Sequence, residues 1–144
     1  MTALVNSAQI DELSTFFLKR EAVSTWTPTV TQGAAITSSS NTGTYLVLGP
    51  MVAVQMAFTA SSAGTGGNTI VIGGLGGLWP VVNPIGTFRV VDNGTTVYTG
   101  AVVHYGANDW RLQVNQNNGY LGGAPAYTIA STDVIEVNLF YRWQ

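Results

Sequence analysis

No cysteine occurs anywhere in the chain, which excludes disulfide staples and thiolate metal sites alike. The single histidine, His104, leaves no set of imidazoles for a transition metal within one chain, and no metal or cofactor is expected. Charge is equally scarce. Charged residues make up 8% of the sequence, against roughly 25% in an ordinary soluble domain. The net charge is −2, and of the one Lys and four Arg only Lys19 and Arg20 are adjacent. No basic patch can be drawn to attract nucleic acid or anionic lipid, so neither is an expected partner. Long apolar runs are missing as well: the longest, Ile70 to Val82, is broken by four glycines and Pro80. A membrane-spanning helix needs roughly 20 apolar residues in succession. Met1 to Asn6 lacks the basic segment of a secretory leader and is followed by Asp11 and Glu12, so a soluble protein made in the cytoplasm of the producing cell is expected.

Charge is densest at one end. Five of the twelve charged residues lie between Asp11 and Glu21, in the one stretch whose pattern is helical. Asn6 is placed to cap a helix over Ser7 to Glu21, with Gln9 reaching back. Asp11 and Glu12 lie near the positive end of its dipole, and Lys19 and Arg20 near the negative end. Ile10, Leu13 and Phe17 fall on one apolar stripe, with Phe16 beside it. Such a stripe covers something, either its own domain or a partner in a larger assembly. The expected division is an N-terminal arm over residues 1–24 and a β domain over residues 25–144.

From Trp26 the period falls to two. Met51 to Thr59 places Val52, Val54, Met56 and Phe58 on one face and Ala53, Gln55, Ala57 and Thr59 on the other. Ile135 to Trp143 repeats the pattern, and both segments predict half-buried strands of an antiparallel sheet. Phe88 to Val91 and Thr95 to Tyr105 flank Asp92-Asn93-Gly94, where Asn-Gly offers the positive φ angles of a tight hairpin. Further strands are expected at Tyr45 to Leu48, Thr69 to Ile72, Trp110 to Val114 and around Tyr127 to Ile129. Eight or more short strands with no crossover helix predict an all-β fold, an antiparallel jelly-roll sandwich carrying a short N-terminal helical arm. With hydrophobic residues at 46% and so little charge, the module is expected to oligomerise. The alternative is a monomer with a neutral Thr, Asn and Ser surface.

Searching for chemistry returns little. No Gly-x-Ser-x-Gly accompanies His104, and the stretch Gly64 to Gly77 lacks both the Lys-Ser/Thr of a P-loop and a helix to follow it. The body's carboxylates are Asp92, Asp109, Asp133 and Glu136. Asp92 sits at a hairpin turn and Asp133 at a strand start, both ordinary structural places for Asp. No Asp-x-Asp-x-Asp-Gly loop frames a calcium site around Asp109. The expectation is a protein that is not an enzyme. Trp79, Tyr105, Trp110 and Tyr120 lie in or beside loops, where an aromatic either packs in the core or stacks on a sugar; Trp79, Trp110 and Tyr120 are the candidate glycan contacts.

At Trp26-Thr27-Pro28, Gly43-Thr44-Tyr45, Gly49-Pro50-Met51-Val52 and the closing run Thr132 to Tyr141, the chain resembles virion structural proteins of tailed bacteriophages that carry a small trimeric jelly roll of the tumour-necrosis-factor and complement type. The resemblance spans about residues 25 to 144, and Trp79 is inserted where those proteins have Gly-Leu-Pro. It implies a homotrimer on the exterior of a virion, made in the host cytoplasm, and brings no catalytic residues. Two roles follow from it. One is a capsid decoration protein whose arm, through Ile10, Leu13, Phe16 and Phe17, binds the major capsid protein and stabilises the shell. The other is the receptor-binding tip of a tail or head fibre that recognises a host surface glycan.

Overall fold

Strict alternation decides the architecture. In a computed structural model, described for residues 22–73, 75–78, 80, 84–106, 109–114 and 119–143, every described element is a β-strand. The predicted arm helix, with Ile10, Leu13, Phe16 and Phe17, and the candidate contact Trp79 lie outside the described residues. Eleven strands follow in order: β1 (Ser24–Trp26), β2 (Thr29–Gln32), β3 (Ala34–Ala35), β4 (Ser38–Leu48), β5 (Met51–Ala60), β6 (Val71–Gly73), β7 (Ile85–Asp92), β8 (Thr96–Tyr105), β9 (Asp109–Val114), β10 (Gly119–Tyr120) and β11 (Val134–Arg142).

They form one antiparallel sheet ordered β1-β4-β5-β11-β7-β8-β9-β6-β2-β3, with β10 beside β9. The sheet curls on itself. β1 pairs with β4 at one end while β2, only Thr27 and Pro28 further along the chain, pairs with β6 near the other. That short link draws the two ends together. Trp26 on β1 then meets Trp110 on β9 edge to face, their ring centroids 5.8 Å apart. This geometry suits the aromatic quadrupoles.

The curl encloses the alternate residues. Val52, Val54, Met56 and Phe58 of β5 and Ile135, Val137, Leu139 and Tyr141 of β11 are all buried, as their spacing predicts. Phe88, Val90, Val102, Trp110 and Leu112 join them from the neighbouring strands. β5 and β11 pair over nine successive positions, Val134 with Thr59 through Arg142 with Met51. That register puts both apolar sets on the same side of the sheet. The predicted hairpin joins β7 to β8, closed by the Thr95 N–H donating to the Asp92 carbonyl at 3.1 Å. Gly94 alone takes positive φ there, at 99°, so Asn93 supplies no left-handed residue.

Two differences from the expected strands have physical causes. β4 is far longer than Tyr45 to Leu48, because Ser38 to Thr44 continues to pair along β5, with Thr42 and Thr44 facing outward and Asn41 inward, where its Nδ2 donates to the Pro28 carbonyl at 2.8 Å. Tyr127 to Ile129 forms no strand. Its backbone groups are met mostly by a side chain: Gln32 Nε2 donates to the Tyr127 carbonyl at 2.6 Å, and the Ile129 N–H donates to Gln32 Oε1 at 2.9 Å.

Candidate functional site

Gln32 and Asp133 are the two buried polar side chains among the described residues, and both are fully engaged. Gln32 ends β2 at an inward-facing position and also donates to the Asn68 carbonyl at 3.1 Å. Asp133 accepts from Asn93 N–H at 2.9 Å through one oxygen, and from Ala130 N–H at 2.8 Å and the Tyr127 hydroxyl at 2.5 Å through the other. The segment Tyr127 to Ala130 thus hangs between a carboxamide and a carboxylate. Burial first, then the hydrogen bond to Asp133 and its charge, pushes the Tyr127 phenol far above its ordinary range. Next to Asp133, Thr132 is held at φ 78°, unusual for a β-branched residue, while its hydroxyl accepts from Asn93 Nδ2 at 2.8 Å. These groups fasten the fold and offer nothing to a ligand.

The outward side of β4, β5, β11 and β7 is different. Cross-strand register arranges it in rows. Thr44, Gln55, Asn138 and Thr87 form one polar row. Thr42, Ala57, Glu136 and Arg89 form the next, with Arg89 Nη1 to Glu136 Oε2 at 3.1 Å. This ion pair is about half exposed on both sides, so solvent screens it. Shallow hollows of about 410 and 330 Å³ flank Glu136 and Asn138. The row towards the start of β7 is apolar: Leu46, Ala53, Phe140 and Ile85, the last 81% exposed and Phe140 39%. A hollow of about 440 Å³ lies along Ala53, Ile85 and Phe140.

A third region lies on the outward side of β9. Arg111 projects there with its guanidinium carbon 3.2 Å from the centroid of the Tyr105 ring and 5.1 Å from that of Tyr120. Tyr105 comes from β8 and Tyr120 from β10, on opposite sides of β9. Beside Arg111 opens a hollow of about 570 Å³, lined also by Thr31, Asn68 and Thr69, to which Gly33 and Gly67 contribute no side chain.

Of the expected glycan contacts, Tyr120 belongs to this cluster and is half-buried. Trp110 does not: it is 1% exposed and packs in the core against Trp26 and Tyr141. The parity of β9 accounts for the correction. Trp110 and Leu112 point inward together, which leaves Arg111 facing out. The alternation Trp-Arg-Leu-Gln carried that signal, and following it would have drawn attention to Arg111.

Glu136 and Asp109, the two carboxylates of the body outside the hairpin turn and the strand start, do not come together. Glu136 on β11 and Asp109 on β9 are separated by β7 and β8 in the sheet. Three strand spacings amount to about 14 Å, beyond the roughly 5–9.5 Å that glycoside hydrolysis requires. Among the described residues no three of His, Cys, Asp and Glu gather where a metal ion would bind. His104 is half-buried on β8, and its Nε2 has no hydrogen-bond partner among the described residues. No protein-family model, curated protein or solved structure matches this chain.

Proposed function

We propose that the protein is a non-enzymatic structural component of a bacteriophage virion, a capsid decoration protein that forms homotrimers and stabilises the shell. In this reading the curled sheet is a jelly-roll-type sandwich and the segment ahead of β1 is an arm carrying a helix over residues 7–21. The observation that carries it is the apolar row Leu46, Ala53, Phe140 and Ile85 on the outward sheet face, beside the polar row Thr44, Gln55, Asn138 and Thr87. A side chain such as Ile85, 81% exposed on a regular strand, favours a surface made for assembly. Sister chains cover that row in the trimer, and the stripe Ile10, Leu13 and Phe17, with Phe16, holds the major capsid protein. Three arms per trimer multiply the attachment by avidity.

Pelleting undecorated capsids with the protein tests the role directly. Saturable binding at many equivalent sites is expected, lost when residues 1–21 are deleted while the body stays folded and trimeric. Decoration at full occupancy without the arm would refute its role. Ile85→Lys and Phe140→Lys each place a charge in the row and are expected to turn the trimer into monomers by light scattering. A trimer indifferent to both would remove the row from the interface.

The receptor-binding tip is the second reading, and the exposed Tyr105 and half-buried Tyr120 around Arg111 favour it. Saturable adhesion to host cells, with no uptake by capsids, would replace the first reading with this one.

A further inference from the structure

We propose that Arg111, with Tyr105, Tyr120 and the adjoining hollow, forms a binding site for a carboxylate-bearing saccharide. The site does not depend on whether the protein sits on a shell or at a fibre tip. Its core is a cation without a matching anion. Arg89 is paired with Glu136, whereas no carboxylate among the described residues lies within ion-pair distance of Arg111, and its Nε has no hydrogen-bond partner among them. Asp109 shares the outward face of β9, but its Oδ1 lies against Gly73. A guanidinium stays charged at every physiological pH, and its fork of donors matches a carboxylate with two parallel hydrogen bonds.

The surroundings narrow the ligand further. Stacking on Tyr105 holds the guanidinium plane, so less freedom is lost when an anion meets its edge. The hollow, about 570 Å³, falls within the range of roughly 300–1,000 Å³ usual for small-molecule sites. Thr31, Asn68 and Thr69 along its lining bring hydroxyl and amide groups suited to the hydroxyls of a sugar ring. Tyr105, exposed, and Tyr120, half-buried, flank the guanidinium and bring aromatic rings with phenolic hydroxyls to the same side of β9. A lone cation fits one carboxylate per sugar unit; a nucleic-acid backbone calls for several.

The test uses the full chain and a panel of oligosaccharides containing galacturonic, glucuronic or mannuronic acid, each paired with its carboxyl-reduced, neutral counterpart. Titration is followed by calorimetry and by the Arg111 Nε–Hε resonance. At least one acidic member is expected to bind saturably and move that resonance, with its neutral counterpart weaker by about tenfold or more. Arg111→Lys, which keeps the charge and loses the fork, is expected to weaken binding to a similar extent, while Arg89→Lys leaves it unchanged. The comparison of acidic and neutral sugars on the unaltered protein stands even if the variant folds poorly. Binding by no member of the panel, equal binding of acidic and neutral forms, equal loss in Arg89→Lys, or a preference for phosphorylated sugars would each overturn the assignment.

Discussion

Two kinds of polar site coexist in this molecule. Gln32 and Asp133 are buried and all their polar side-chain atoms are hydrogen-bonded, Gln32 to segments 36 to 97 residues away and Asp133 to Asn93 as well as to nearby Tyr127 and Ala130. Arg111 stands half-buried, held by ring faces but unmatched in charge. The difference lies in what completes each group. A satisfied polar group inside a low-dielectric core fixes one arrangement of the chain, because breaking it strands donors or acceptors without water. A charged group that the fold positions but does not neutralise is free to recognise something else.

Breaking the first kind should be the most damaging change. Asp133→Asn sets an amide against the Tyr127 hydroxyl and two backbone N–H groups, and Gln32→Leu abandons the Tyr127 carbonyl and the Ile129 N–H. A loss of about 3 kcal/mol or more is expected for each, read from urea denaturation midpoints. A loss below about 1 kcal/mol would mean that water or local rearrangement meets the stranded groups.

A middling effect is expected from Tyr127→Phe, which removes one of the three donors to Asp133 and should cost about 1–3 kcal/mol. The same residue gives a pH signature. Its folded-state pKa is raised above the ordinary 10.0 by burial and by Asp133, and burial raises that of Tyr141 as well. For a group whose pKa rises on folding, the stabilisation is fully present below the unfolded value and disappears as pH climbs past it. Stability should therefore hold up to about pH 10 and fall above it, and the fall should be shallower in Tyr127→Phe. Identical alkaline slopes in the two proteins would sever the link between Tyr127 and this loss.

The smallest effect on stability sharpens the contrast from the other side. Arg111→Lys is expected to change unfolding free energy by less than about 1 kcal/mol, since only a partly solvated stack is lost. A cost as large as that at Asp133 would place Arg111 among the residues that fasten the fold and weaken its role in recognition.

Legibility in the sequence followed the distance between partners. The faces of Met51 to Thr59 and of Ile135 to Trp143, and the turn at Asp92 to Gly94, were readable because alternation and turn chemistry are properties of adjacent residues. The pairing of β5 with β11 was not, although it aligns those two faces, and neither was the long polar half of β4, whose residues carry weak strand signals. Tyr127 to Ile129 misled for a related reason. Its apolar alternation is real, with both residues buried, but the neighbour that meets its backbone is mainly the side chain of Gln32, 95 residues earlier.

The sequence by itself determined an all-β body, its inward and outward residues on the longest strands and its tight hairpin, because each depends on contacts a few bonds apart. It also dictated, through parity alone, that Trp110 and Arg111 face opposite ways. Only the tertiary structure decided that Tyr105 and Tyr120 flank Arg111 beside a polar hollow and that Leu46, Phe140 and Ile85 share a row. Those neighbours arise from the register between strands remote in the chain, and register is settled by burial across the whole curled sheet rather than by any segment alone.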